Sequence, residues 1–380
     1  MRKFTPKSIV AAILVMVLFF CPLLPVSAQE VTEPAPTASL ETTPPETAPA
    51  ETAPPETVPE ETAPVETAPA ETEPAETEPP EEESFEIPIG EPDPDSAVYQ
   101  IIERLSANMG ARHLFVYHTG TGQMLYSKTV SNGKLFPAST TKLFTTYVAL
   151  QYLDPESSVT AGDELDLVHE GSSLAFVSRG MRLRVRTLVE GLMLPSGNDA
   201  AMVLAAAAGR VIAGDETLSG TDAVAVFVDE MNLQAEKFGF EKSHFSNPDG
   251  WHSGSHYTSM NDMARIGQLA LGSDVMRRYM RLGTDEKNFG GEQLILWENS
   301  NLLVHPASAY YRTDAIGMKT GYTRPAGYSL MSAFTSEQGD LIIGLFGYTN
   351  KNDRFLDAIA LSKAVKEQLR LEAASSESVG

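Results

Sequence analysis

Three short groups of residues, in this order along the chain, have the types needed for an acyl transfer. They are Ser139-Thr140-Thr141-Lys142, Ser196-Gly197-Asn198 and Lys319-Thr320-Gly321. A serine hydroxyl is a poor nucleophile until a nearby base takes its proton. A lysine three residues on, at a helix start, lies on the same helix face. Its amine can act as that base only when neutral, and its ordinary pKa is about 10.4. Burial lowers it, and so does a second cation such as Lys319. The helix N-terminus adds positive potential at the hydroxyl.

Ser196-Gly197-Asn198 follows Pro195 on an expected turn between two helices. Glycine lets the backbone bend sharply and brings a hydroxyl and an amide out together. Ser196 could relay a proton toward a leaving amine. Asn198 could hold a substrate amide with both its donor and its acceptor. Lys319-Thr320-Gly321 falls on an expected strand flanked by Gly317 and Tyr322. It offers a cation, a hydroxyl and room for a substrate backbone beside the strand edge. Each group alone has a plainer reading: a helix cap, a helix–helix loop, an exposed turn. The weight lies in having all three, in order.

The elements that must position them are legible from apolar spacing. A helix is expected from Ser96 to Met109, then a hairpin of strands 113–118 and 124–128 around Thr119-Gly120-Thr121-Gly122. Pro137 opens a helix through Leu143, Tyr147 and Leu150. Further helices are expected over 183–194, 199–208, 227–238 and 258–271. Strands 316–322, 328–334 and 341–348 follow, then an amphipathic helix over 352–371. This order predicts an α+β fold. First and last strands join in one antiparallel sheet, and the middle helices form a separate lobe. A ligand cleft is expected between them.

Ahead of this domain lie two other zones. Arg2, Lys3 and Lys7, an apolar run from Ile9 to Leu24 and Val26-Ser27-Ala28 read as a signal peptide over 1–28. Contact with a membrane is expected only if that segment stays uncleaved. Cys21 is the one cysteine, and Phe19-Phe20 before it argue against a lipoprotein signal. Cleavage at Ala28 leaves no cysteine, which excludes disulfides and thiol chemistry. Residues 29–95 repeat Glu-Thr-x-Pro and hold 20 acidic residues, 16 prolines and no Lys or Arg. Such a tract cannot bury enough apolar surface to order itself. It carries most of the formal charge of −23, leaving −6 for residues 96–380. The acidity argues against nucleic acid as a partner. The catalytic domain is expected over 96–372, with a polar tail over 373–380.

Pro137-Ala-Ser-Thr-Thr-Lys142, Met193-Leu-Pro-Ser-Gly-Asn-Asp-Ala-Ala201 and Gly317-Met-Lys-Thr-Gly-Tyr-Thr323 resemble the D-alanyl-D-alanine carboxypeptidases, the low-molecular-mass penicillin-binding proteins. So do Met231-Asn232, His244-Phe-Ser-Asn-Pro-Asp-Gly250, His256-Tyr-Thr-Ser-Met-Asn-Asp262-Met-Ala264 and Ala326-Gly327-Tyr328. The likeness covers roughly residues 97–371. It implies a β-lactamase/transpeptidase-like (penicillin-recognising serine hydrolase) fold: an antiparallel five-stranded sheet flanked by helices, plus a helical lobe. It implies removal of the terminal D-Ala from peptidoglycan stem peptides, outside the cytoplasm of a bacterium, and covalent inhibition by β-lactam antibiotics. It implies no cofactor and no metal. On this chain Ser139 would be the acylated nucleophile, Lys142 its base and Ser196 a proton shuttle. Lys319 would polarise that network. Asn198 would bind the substrate amide and Thr320 its carboxylate, beside Gly321. The N–H groups of Ser139 and Tyr322 would form the oxyanion hole.

Some relatives have an Arg in the segment that here reads Asn299-Ser300-Asn301. The cation that assists Thr320 is therefore open, with Arg324 as a candidate. His252 and His256 stand four apart, but Ser253 and Gly254 between them argue against a helical metal site. A class A β-lactamase would need a Glu-x-x-Leu-Asn string before Lys319. The nearest miss is Glu230-Met-Asn-Leu-Gln234. A D,D-endopeptidase acting on cross-links and an inactive wall-binding or penicillin-sensing module are the other rivals.

Overall fold

The computed structural model describes residues 86–129, 134–290 and 294–377. The expected signal peptide, most of the acidic tract and the end of the tail lie outside these residues. Helix α1 (Ala97–Ser106) starts where the Ser96 hydroxyl accepts from Tyr99 N–H, and it buries Val98 and Ile102. The hairpin β1 (His113–His118) and β2 (Gln123–Thr129) follows. A 3₁₀ turn, Ala138–Thr141, then leads into α2 (Lys142–Ala149).

A small hairpin of β3 (Ser158–Thr160) and β4 (Arg182–Arg184) precedes the helices of the lobe. These are α3 (Val185–Met193), α4 (Asn198–Ala213), α5 (Gly220–Lys237), α6 (Met260–Gly272) and α7 (Asp274–Met280). A second hairpin, β5 (Thr284–Lys287) and β6 (Ile295–Glu298), returns the chain to the sheet. Strands β7 (Ala315–Thr323), β8 (Gly327–Phe334) and β9 (Leu341–Tyr348) and helix α8 (Asp353–Glu377) complete the domain.

The main sheet has the order β2-β1-β9-β8-β7 and is antiparallel throughout. Strands β1 and β9, far apart in sequence, therefore meet in its middle, where Val116 pairs with Ile343. One face packs on α1 and α8 through Val98, Ile102, Phe355 and Leu361. The other packs on the helical lobe through Phe115, Tyr117, Ile342 and Phe346. Burial on both faces explains why all eight residues of β9 are buried and why it reads as a continuous apolar run. The expected five-stranded sheet and separate helical lobe are both present. β7 is an edge strand, and its Gly321 lies against the backbone of Pro137 and Ser139.

Several boundaries differ from the sequence reading. The helix expected over 183–194 starts at Val185, because Arg182–Arg184 pair with Ser158–Thr160 instead. Helix α4 continues to Ala213 and stops at Gly214, which is left-handed at φ 65°. Helix α5 begins seven residues early, where the Ser219 hydroxyl accepts from Asp222 N–H. Helix α8 runs through the expected polar tail to Glu377. Residues 86–95, read as the end of the acidic tract, already touch the body. Ile89 packs on the core, and Gly90 bridges to Gln123. No helix of the described residues is long and apolar enough to cross a membrane.

Candidate active site

Ser139 sits in a backbone turn bonded from several sides. The preceding Ala138 is left-handed at φ 50°. Such a conformation costs an alanine about 1–2 kcal/mol and persists only where its surroundings enforce it. Thr140 donates to Pro137 O at 2.7 Å, and Thr141 donates to Ala138 O at 2.8 Å. The Thr141 hydroxyl in turn lies 2.8 Å from His256 Nε2. His256 Nδ1 accepts from Ser246 N–H at 3.1 Å, so the ring proton belongs on Nε2 and points at Thr141. Burial, then neighbouring His244, His252 and Lys142, holds this imidazole neutral, its pKa pushed down to about 3.

Two glycines let other segments close on the turn. Gly250 is at φ 82°, and a Cβ there would lie 2.0 Å from Ala138 O. A Cβ on Gly321 would lie 3.1 Å from Ser139 N and 3.0 Å from Pro137 O. The Lys-Thr-Gly strand is thus pressed against the backbone that carries the nucleophile.

Lys142 is fully buried one step on. Its Nζ donates to Ser139 Oγ at 2.9 Å, Asn198 Oδ1 at 2.8 Å and Asp249 O at 2.6 Å. Three acceptors meet three hydrogens. Burial lowers its pKa to about 8, against the opposing pull of Asp249 and Asp199. When the amine loses one proton, Asn198 and Asp249 hold the two that remain. The lone pair is then directed at Ser139 Oγ. This is the geometry a general base requires.

Asn198 differs from its expected part. Its Nδ2 donates to Ser172 Oγ at 2.9 Å and to Asp249 Oδ2 at 2.6 Å, while Oδ1 serves Lys142. The whole amide is engaged within the protein, and in this geometry it orients Lys142. Ser196, strained at φ 64°, is largely buried yet lines the same cavity as Ser139. Its hydroxyl meets no protein partner among the described residues.

On the opposite wall Lys319 is fully buried behind the strand, and its Nζ donates to Thr320 O at 3.1 Å. Burial, Lys142 and Arg354 hold its pKa well below the usual lysine range. Thr320 Oγ1 lies 2.6 Å from Ser300 Oγ. Asn299 and Asn301 fold that loop. Asn299 donates to Leu282 O at 2.8 Å and accepts from Asn301 N–H at 2.8 Å. Tyr322 is half exposed and stacks on Tyr328 at 4.4 Å.

The cavity holding these groups has a volume of about 1230 Å³. Ser139, Ser196, Asn198, Thr320, Gly321 and Tyr322 all line it. Lys142 and Lys319 stand behind them. Arg324 lines the mouth and is exposed.

Sequence reading missed Arg354. It lines the cavity from the first turn of α8 and is 2% exposed. Its Nη1 donates to Ser329 O at 2.7 Å and to Gly321 O at 3.3 Å, and its Nε has no partner. No carboxylate pairs with it among the described residues. Burial lowers its pKa to about 10, so it is still a cation at neutral pH. One signal was available. A cation in the first turn opposes the helix dipole, so Arg354 is unfavourable beside Asp353 at the helix start unless it serves another purpose.

A serine bonded to a buried lysine, set between an antiparallel sheet and a helical lobe, defines the β-lactamase/transpeptidase-like fold. The family model Peptidase S11, D-alanyl-D-alanine carboxypeptidase, matches residues 101–350, and the chain belongs to that family. The D-alanyl-D-alanine carboxypeptidase DacA of Escherichia coli K12 is 35% identical over 225 residues, covering 56% of this chain and 50% of that protein. DacF of Bacillus subtilis is 28% identical over 256 residues, covering 64% of this chain and 59% of that protein. The chain thus spans about half the length of these curated relatives. The solved Streptomyces K15 DD-transpeptidase superposes with a TM-score of 0.60 at 27% identity, covering 68% of this chain and 97% of that one. Penicillin binding protein 6B from Escherichia coli gives a TM-score of 0.56 at 28% identity, covering 67% of this chain and 77% of that one.

Proposed function

We propose that this chain is a serine-type D-Ala-D-Ala carboxypeptidase acting on peptidoglycan stem pentapeptides. The observation that carries the reading is the 2.9 Å contact between Ser139 Oγ and the fully buried Lys142. Neutral Lys142 takes the hydroxyl proton as Ser139 attacks the carbonyl between the two D-Ala residues. The N–H groups of Ser139 and Tyr322 receive the developing oxyanion. Ser196 passes a proton to the leaving D-Ala amine. Water then attacks the acyl-enzyme, with Lys142 again as base.

Thr320 and Arg354 hold the terminal carboxylate. Arg354 takes the place for which Arg324 was a candidate, because it is buried, unpaired by any acid among the described residues and beside Gly321 O. Asn198 acts through Lys142 and not by gripping the substrate amide. Penicillins acylate the same serine. The N-terminal signal and acidic tract fit an exported enzyme, secreted or held by an uncleaved segment. Incubation with a muropeptide pentapeptide, followed by mass spectrometry, tests the activity. Loss of a single D-Ala is expected. An unchanged pentapeptide in the presence of penicillin labelling would favour a sensor. Cleavage confined to cross-linked dimers would favour an endopeptidase.

A further inference from the structure

A second cavity, of about 510 Å³, opens on the helical lobe and shares no residue with the cleft. Its walls include Tyr147 and Leu150 at the C-terminal end of α2, Leu269 on α6, Val275 on α7, and Pro155. Ile87, the second described residue of the chain, lines it as well. The backbone at Ile87 is already tied down. Its carbonyl accepts from Arg265 Nε at 2.8 Å. Three residues on, Gly90 N–H donates to Gly122 O and Gly90 O accepts from Met124 N–H, both at 2.9 Å.

The chain outside this strap begins with Phe85, two residues from Ile87. Two residues of chain reach at most about 7 Å, which confines Phe85 to the neighbourhood of this groove. Phe85 is also the only aromatic residue in the whole tract 29–95. Glutamates flank it at 81–83 and 86.

We propose that the groove takes Phe85 of the same chain, so that the acidic tract is anchored to α2, α6 and α7 before it leaves the domain. The tether then does not swing from Ser96. Its last fixed point lies against Leu150, eight residues along from Lys142, about 12 Å at helical rise. This assignment is independent of the reaction the cleft performs.

Two measurements on the full mature chain test it. In the first, Phe85 is replaced by the photoreactive p-benzoylphenylalanine and the dilute protein is irradiated. Cross-links within one chain to Tyr147, Leu150, Leu269 or Val275 are expected. In the second, chymotryptic cleavage after Phe85 is timed in the native chain and in Leu269→Asp. Cleavage is expected about tenfold faster in the variant, since protease reads the open population. Cross-links elsewhere, or equal cleavage rates in a folded variant, overturn the proposal. Cross-links between two chains overturn it in favour of a second copy in the groove. If Leu269→Asp fails to fold, the cross-linking result decides alone.

Discussion

Thr320 Oγ1 and Ser300 Oγ are 2.6 Å apart, so the hydroxyl proposed to meet the substrate carboxylate is bonded before substrate arrives. A hydroxyl can turn to give its proton to a carboxylate while still accepting from its neighbour. Ser300 therefore orients Thr320. Ser300→Ala should raise KM for a D-Ala-D-Ala peptide by about 3–10-fold, the worth of one neutral hydrogen bond. kcat should change little. A fall in kcat alone in steady-state kinetics would place Ser300 in the chemical step instead.

Removal of the nucleophile should be far more severe. Ser139→Ala should lower kcat by several orders of magnitude, because catalytic groups acting as a unit fail together. Circular dichroism should show the fold intact, and penicillin should leave no covalent adduct.

Lys142 must be neutral to act, and its pKa is pushed down to about 8. Below that value the free base falls about tenfold for each pH unit. The second-order rate of penicillin acylation should thus rise from pH 6 and level off above pH 8. The sign follows from a base that works deprotonated. A rate that falls over the same interval would exclude Lys142 as the base.

Arg354 offers a buried charge-assisted contact worth about 1.5–3 kcal/mol. Arg354→Lys should raise KM for the free-acid peptide by about 10–100-fold while leaving a C-terminally amidated peptide nearly unaffected. Equal losses on both peptides would mean that the residue only supports β7 and β8 through Gly321 O and Ser329 O.

The acyl-enzyme formed with penicillin should persist for minutes or longer. The D-Ala product leaves, but the opened lactam ring stays attached and hinders water. Class A β-lactamases overcome this with a dedicated glutamate. The nearest sequence match, Glu230, lies on α5, where it accepts from Tyr152 and Gln234. Intact-protein mass spectrometry would detect the adduct. Rapid turnover without one would favour a β-lactamase.

The proposed catalytic groups were legible because each lies in a run of consecutive residues. Ser139 and Lys142 meet through local helix geometry, and the sequence alone dictates that. What the fold adds arrives from afar. Ser172 reaches Asn198, His256 reaches Thr141 and Arg354 reaches Gly321, each from a distant part of the sequence. Their partners are set by tertiary packing, on which residue spacing is silent. The missed elements, α7 and the β3–β4 and β5–β6 hairpins, are three to seven residues long. Segments of that length carry too few periods for a pattern to emerge. Residues 86–95 were hidden differently. Their composition matches the acidic tract, and only Ile87 and Ile89 mark the contact.

The bridge between Gly90 and Gln123 bears on how the molecule behaves in company. Every open sheet ends in two rows of unpaired backbone groups, each a template for adhesion to another chain. Here one row, along β2, is partly closed by the chain's own strap. The other, along β7, borders the cleft, where the proposed peptide substrate would pair. A chain shortened to begin at Asp95 loses the bridge and leaves β2 bare. It should associate as its concentration rises, as light scattering would record, whereas one beginning at Glu81 should remain monomeric. The few residues between tether and enzyme thus keep the sheet sociable on one side only.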